Sequence, residues 1–143
     1  MATLRRLTVD DHAAILALWQ RAGLHSIRPE GRDSRSEFEK QLARGQLVLG
    51  LEEGGRLIGV VLATNDTRNG WINRLAIDPD YRRQGYGERL VHAAEDALHE
   101  AGMHLMAAFV EEGNIASLTL FEKLGYAAHQ HITYVSKRDS ADA

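Results

Sequence analysis

The chain has 143 residues, 44% hydrophobic and 26% charged, with a formal net charge of −3. That length supports one domain around one core rather than two, and the slightly acidic balance excludes bulk attraction to nucleic acid or an anionic membrane. The absence of cysteine excludes disulfides, thiol nucleophiles and acyl-cysteine intermediates.

The N-terminus, MATLRRLTVDDH, lacks the apolar core of a secretion signal. No apolar run reaches the roughly 18 residues of a membrane span. A cytoplasmic location is the resulting expectation. Leu4–Val9 reads as a first strand, and Thr8 with Asp11 forms a capping box. The helix after it places Ile15, Leu18, Trp19 and Ala22 on one face and stops at Gly23. Leu24–Asp33, with Pro29 and Gly31, reads as a loop. A second helix starts at Ser34–Glu37, turns Phe38 and Leu42 inward and ends at Gly45. Two antiparallel strands follow, Gln46–Glu53 and Arg56–Asn65, joined by Gly54-Gly55. The turn Asp66–Gly70 then leads to a strand at Trp71–Ile77.

Next comes LAIDPDYRRQGYGERLVHAAEDALHEAG, residues Leu75–Gly102. The apolar run ends at Asp78-Pro79. Arg82-Arg83-Gln84-Gly85-Tyr86-Gly87 forms a basic, glycine-punctuated loop. The helix beyond it sets Leu90, Val91, Ala94 and Leu98 together and stops at Gly102. His104–Val110 reads as a buried strand, and Glu111–Asn114 as a turn into a last helix, Ile115–Leu124, closed by Gly125. Tyr126–His129 and His131–Lys137 read as two closing strands, and 138–143 as a flexible tail. The unit Trp71–Val110 needs a parallel strand pair, while most other neighbours are antiparallel.

A strand feeding a glycine loop at a helix start suits a phosphorylated ligand. The first helical turn leaves amides unpaired, and its dipole favours negative charge. Gly85 and Gly87 let the backbone approach a diphosphate without a Cβ between them. A nucleoside-triphosphate loop is excluded, because Glu88-Arg89 follow Gly87 where Lys and Ser or Thr are required. A dinucleotide fingerprint lacks its third glycine, with Leu90 in that place; Glu111 and Glu112 beyond the next strand keep that alternative in view.

The third alternative is the pattern [RQ]xxGx[GA], met by Arg82–Gly87. Its surroundings extend the match. Leu75-Ala76-Ile77-Asp78-Pro79-Asp80-Tyr81-Arg82 is similar to an LAVxPxYR strand and turn. Asn114–Tyr126, NIASLTLFEKLGY, is similar to an NxxAxxLYxKxGF helix. In these blocks, and from about Thr3 to Lys137, the chain resembles the GNAT superfamily of acyl-CoA-dependent N-acyltransferases. Leu18–Arg21 and Gly70–Ile72 further resemble uncharacterised bacterial members related to ribosomal-protein-alanine acetyltransferases.

The resemblance implies an α/β, mixed α+β fold: a single GNAT-like domain over 1–143, with a central mixed, mostly antiparallel sheet flanked by about four helices. It implies acetyl-CoA as cosubstrate, with no metal, and direct transfer to a primary amine. Backbone amides from Gln84 to Glu88, including those of Gly85, Tyr86 and Gly87, would cradle the diphosphate, with Arg82 and Arg83 adding charge. The pantetheine arm would lie along Leu75, Ala76 and Ile77, and the N–H near Leu75 or Ala76 would face the acetyl carbonyl. Asn114 would hold the pantetheine, Ser117 and Phe121 would contact the cofactor, and Lys123 would reach toward the adenosine phosphate. Homodimers are common in the family.

Three departures concern the chemistry. Phe121 stands where the family commonly has a tyrosine acid, and Asn73 where a glutamate is frequent; Phe109 occupies the position of a further glutamate. Tyr126 or Tyr134 then remain as phenols, and Asp66, Glu111 or a water chain as proton acceptors. Phe38, Trp71 and the Leu24–Asp33 loop are candidates for an acceptor pocket. His129 and His131 share a strand face without an evident third ligand. The competing function is a catalytically lapsed acetyl-CoA-binding sensor or interaction module.

Overall fold

The computed structural model describes all residues 1–143. Its strands are β1 (Thr3–Arg6), β2 (Leu47–Glu53), β3 (Arg56–Asn65), β4 (Gly70–Ile77) and β5 (Met106–Ala107); its helices are α1 (His12–Arg21), α2 (Arg35–Ala43), α3 (Tyr86–Glu100) and α4 (Ile115–Lys123). The five strands form one sheet in the order β1-β2-β3-β4-β5. β1 to β4 are antiparallel neighbours, and β4 pairs with β5 in parallel. The mixed, mostly antiparallel sheet and the four helices agree with the expected fold class.

Local chemistry accounts for most boundaries. Thr8 and Asp11 make the reciprocal capping box, around a short 3-10 turn at Val9–Asp11 that precedes α1. Ser34 caps α2 by accepting the amide of Glu37. Gly54 and Gly55, at φ of 59° and 77°, supply the two left-handed residues that a tight β2–β3 hairpin demands. In α3, Leu90, Val91, Ala94 and Leu98 are all buried, as one apolar stripe requires.

The sheet carries apolar packing on both faces. α3 and α4 cover one side with Leu51, Ile58, Val61, Ile72, Leu90, Leu98 and Phe121. α1 and α2 cover the other with Leu7, Ile15, Leu18, Trp19, Phe38, Val60 and Ala76. β4 changes face partway along. Its ladder with β3 runs from Leu62↔Asn73 directly to Val60↔Ala76, so Arg74 and Leu75 together oppose Val61. This is a β-bulge, and an extra residue inverts the alternation beyond it. Ile72 and Ala76 would share a face in a regular strand, yet they pack on opposite faces.

The C-terminal third departs from expectation. The strand expected at His104–Val110 is only Met106–Ala107, half-buried rather than buried. It pairs with Gly70 and Trp71 alone, with Leu105 and Phe109 largely exposed. The closing strands expected at Tyr126–His129 and His131–Lys137 do not form. A strand needs an adjacent edge to complete its backbone hydrogen bonds, and β5 offers two residues of edge. The last residues return instead to the 24–33 loop: Arg28 Nε donates to the Ala141 carbonyl at 3.2 Å and the Arg32 amide to that of Asp142 at 3.3 Å.

Asp78 fastens the end of β4. It is 1% exposed, caps the turn at Pro79–Tyr81 through the Asp80 amide at 3.0 Å, and accepts from Arg21 Nε at 3.2 Å and Arg56 Nη2 at 2.9 Å. Burial alone would raise its pKa; the Asp80 amide and the Arg56 and Arg21 charges outweigh it and hold the carboxyl below its ordinary value. A depressed folded pKa stabilises the fold above the unfolded value, near 3.9, and that contribution is lost as pH falls through the folded pKa. Asp78→Ala is expected to cost about 2 kcal/mol in urea denaturation at pH 7, discounted for the part-exposed arginines. The gap from wild type should narrow below about pH 4; a gap independent of pH would show that the charge is not its source.

Candidate active site

β4 and β5 run together for one step and then part. The Gly70 amide donates to the Leu105 carbonyl at 2.8 Å, and pairing ends at Trp71↔Ala107. From Asn73 onward β4 has no partner on that side, and at Arg74–Leu75 it has no ladder partner on β3 either. Leu75 and Ile77 lie toward the α3/α4 face and Ala76 toward the α1/α2 face. An open strand edge of this kind offers main-chain donors and acceptors to an extended ligand.

At the end of that edge the chain passes through Asp78 and the Pro79–Tyr81 turn into Arg82–Gly85. Arg83 and Gly85 are both left-handed, with φ of 63° and 80°. Gly85 is the N-cap of α3, and no side chain caps the helix. The amide of Arg89 is the first to bond back, to the Gly85 carbonyl at 3.1 Å. The amides of Tyr86, Gly87 and Glu88 belong to the turn whose donors a helix cannot satisfy itself. Arg82 and Arg83 are exposed and form no ion pair; Arg82 Nη2 reaches the Ala22 carbonyl at 3.4 Å. Uncapped amides, a helix dipole and two cations outside any ion pair are together suited to an anion.

The two glycines have different roles. A Cβ at Gly85 would meet nothing within 4 Å, so the requirement there is the positive φ. A Cβ at Gly87 would lie 3.0 Å from Leu120 Cδ2, so that glycine also lets α4 pack close to α3. Lys123 Nζ lies 3.4 Å from Glu88 Oε2, bridging the two helices. Asn114 caps α4 by accepting the Ser117 amide at 3.2 Å. Its side-chain NH2 keeps both donors free of that bond.

The titratable groups sort themselves by environment. Phe121 is buried and edge-on to Tyr126, with centroids 5.0 Å apart. Tyr126 donates to Glu95 Oε2 at 2.6 Å, and burial and that carboxylate push its pKa well above the ordinary phenol value. Asp66 accepts the amides of Asn69 and Arg68 and the Trp71 indole N–H, which hold its pKa low. A carboxylate so well solvated is a poor base. Tyr134 is exposed, its ring 4.9 Å from that of Phe109, which stacks at 5.1 Å on Trp71 where β4 and β5 separate. Phe38 is 3% exposed and packs against His12; it is a core residue and does not line an acceptor surface. His129 and His131 have ring centroids 5.9 Å apart, and no third ligating side chain joins them.

Arg74 carried no role in the sequence reading. It is a non-glycine residue at φ 51°, its guanidinium 2.6 Å from Asp33 Oδ1 and 4.7 Å over the Trp19 ring. An arginine in an apolar strand reads as a solvent-facing residue, and no residue type there announces the bulge.

Comparison with known proteins agrees with this geometry. The family model described as Acetyltransferase (GNAT) family matches residues 9–126. An acetyltransferase of Pectobacterium atrosepticum is 30% identical over 131 residues, covering 91% of each chain. The structure of the ribosomal-protein-S18-alanine N-acetyltransferase of Escherichia coli superposes with a TM-score of 0.73 at 26% identity, over 87% of this chain and 77% of that one. The PaiA N-acetyltransferase of Thermoplasma acidophilum, in complex with coenzyme A, superposes with a TM-score of 0.78 at 18% identity, over 90% and 91%. The sheet parted between parallel strands and the glycine loop at a bare helix start are consistent with that match. The chain belongs to the GNAT family of acetyltransferases.

The roles of the two glycines can be separated by stability. Gly85→Ala should cost about 1–2 kcal/mol in urea denaturation, because alanine pays for the left-handed backbone. Gly87→Ala should cost less, since the Leu120 methyl can rotate away, and Leu120→Ala beside it should reduce the cost further. Equal losses at both positions would contradict the division.

Proposed function

We propose that the chain transfers the acetyl group of acetyl-CoA directly to a primary amine of a peptide or small molecule. The carrying observation is the continuity of two features: an open β4 edge at Asn73–Ile77 leading into the uncapped start of α3. A ligand with an amide-bearing arm and a diphosphate matches both in that order.

The amides of Gln84 to Glu88 hold the diphosphate, and Arg82 and Arg83 add the charge that an acidic protein otherwise lacks. The pantetheine lies along Leu75, Ala76 and Ile77 as an added strand. Asn114 contributes its free side-chain donors to the pantetheine, and Ser117 is beside it, one turn along α4. Phe121 serves as a buried wall behind this segment, since a phenyl ring donates no proton. The Leu75 N–H stabilises the oxyanion that forms when the amine nitrogen attacks the thioester carbon. The C–N bond forms, the C–S bond breaks, and the acetylated amine sheds its proton through a water chain to solvent. With no cysteine in the chain, no acyl-thiol enzyme is formed.

Proton delivery to the departing thiolate falls to Tyr134. Tyr126 is engaged by Glu95, whereas Tyr134 stands free where β4 and β5 part. The buried Phe121, in place of the usual tyrosine, favours the second reading, a lapsed acetyl-CoA-binding module. A panel of peptide N-termini, lysine peptides, polyamines and amino acids, assayed for coenzyme A release with acetylated product, separates the two. Similarity to an S18-alanine acetyltransferase makes alanine-initiated peptides the first acceptors to try. Turnover of any amine is the expected result, and binding without turnover across the panel favours the lapsed module. With an acceptor in hand, Tyr134→Phe should lower kcat by about 100-fold and Tyr126→Phe should leave it near wild type. The reverse order would assign the acid to Tyr126.

A further inference from the structure

Arg74 and Leu75 belong to one bulge, but their side chains lie on opposite sides of the sheet. The Arg74 guanidinium is 14% exposed and three groups fix it: Asp33 Oδ1 at 2.6 Å, the Ser26 carbonyl at 3.1 Å and the face of Trp19 at 4.7 Å. Trp19 belongs to the α1/α2 packing and Leu75 to the α3/α4 side. Asp33, 8% exposed, is itself held: its second oxygen accepts the Arg28 amide at 2.6 Å. A left-handed arginine is strained and persists only where its surroundings over-determine it. Here they do, through a buried ion pair, a main-chain acceptor and a ring.

We propose that Arg74 is a positioning residue for acetyl transfer: anchored to Asp33, Ser26 and Trp19, it holds the β4 bulge so that the Leu75 amide is presented to the acetyl carbonyl. The inference rests on the acetyl-transfer reading above. It also gives the 24–33 loop a function. Through Ser26 and Asp33 that loop is tied to the reacting strand, so whatever the loop contacts on its outer side bears on the bulge.

The test uses amide NMR on the whole chain, titrated separately with coenzyme A and acetyl-CoA. In wild type the Leu75 resonance should move further with acetyl-CoA than with coenzyme A, because only the former brings the carbonyl. Arg74→Gly keeps the left-handed backbone available but removes the anchor. It should abolish that difference while leaving coenzyme A affinity unchanged. With an acceptor, kcat should fall toward the roughly 100-fold loss of an oxyanion donor, with KM for acetyl-CoA unaltered. Arg74→Lys, which keeps the charge toward Asp33 but loses the fork, should recover part of both. If Arg74→Gly fails to fold, Asp33→Asn carries the test on the same resonance. An intact difference in these variants overturns the positioning role and leaves the acetyl-transfer reading standing. Absence of any difference in wild type overturns the placement of Leu75, and the inference with it.

Discussion

The architecture depends on a strand that is kept from completing its sheet. β4 is paired with β3 along most of its length and with β5 for only two residues. An unpaired strand edge is a liability that folded proteins cover or blunt. Here it is retained, and the strand is bent by a bulge at Arg74–Leu75, beyond the end of its pairing with β5. The chain beyond β4 turns at Asp78 into the loop that opens α3. A gap in the ladder and a bare helix start therefore share one continuous backbone. Asp78, locked by Arg21 and Arg56, fastens the backbone between them.

The electrostatics follow the same economy. A net charge of −3 gives no general attraction for a phosphorylated ligand. The binding potential is local, from main-chain amides and the helix dipole, with Arg82 and Arg83 beside them. Acids elsewhere are satisfied by their own partners: Asp11 and Glu52 by Arg5, Asp66 by neighbouring amides, Asp33 by Arg74.

Features carried by local chemistry were legible in the sequence. The Gly54-Gly55 hairpin, the Thr8–Asp11 capping box, the apolar stripe of α3 and the Arg82–Gly87 loop each need only neighbouring residues, and each is found where expected. Features set by distant partners were not. Ile132 and Val135 suggest strand, but the neighbour they would need, β5, is too short to pair them. The bulge at Arg74 was invisible because its cause, Asp33 and Trp19 on the opposite face, lies far away along the chain. The chemistry shows the same split. Phe121 and Asn73 announced that the family's usual proton donor and glutamate were absent, but only the contact between Tyr126 and Glu95 separates the two remaining phenols.

The central claim is that the open edge of β4 and the start of α3 form one acyl-CoA site. Calorimetric titration with acetyl-CoA, coenzyme A and NAD tests it most directly. The account predicts one-to-one binding of acetyl-CoA and coenzyme A and no binding of NAD. Failure to bind acetyl-CoA, or preference for NAD, would contradict it and leave the glycine loop to a different phosphorylated ligand.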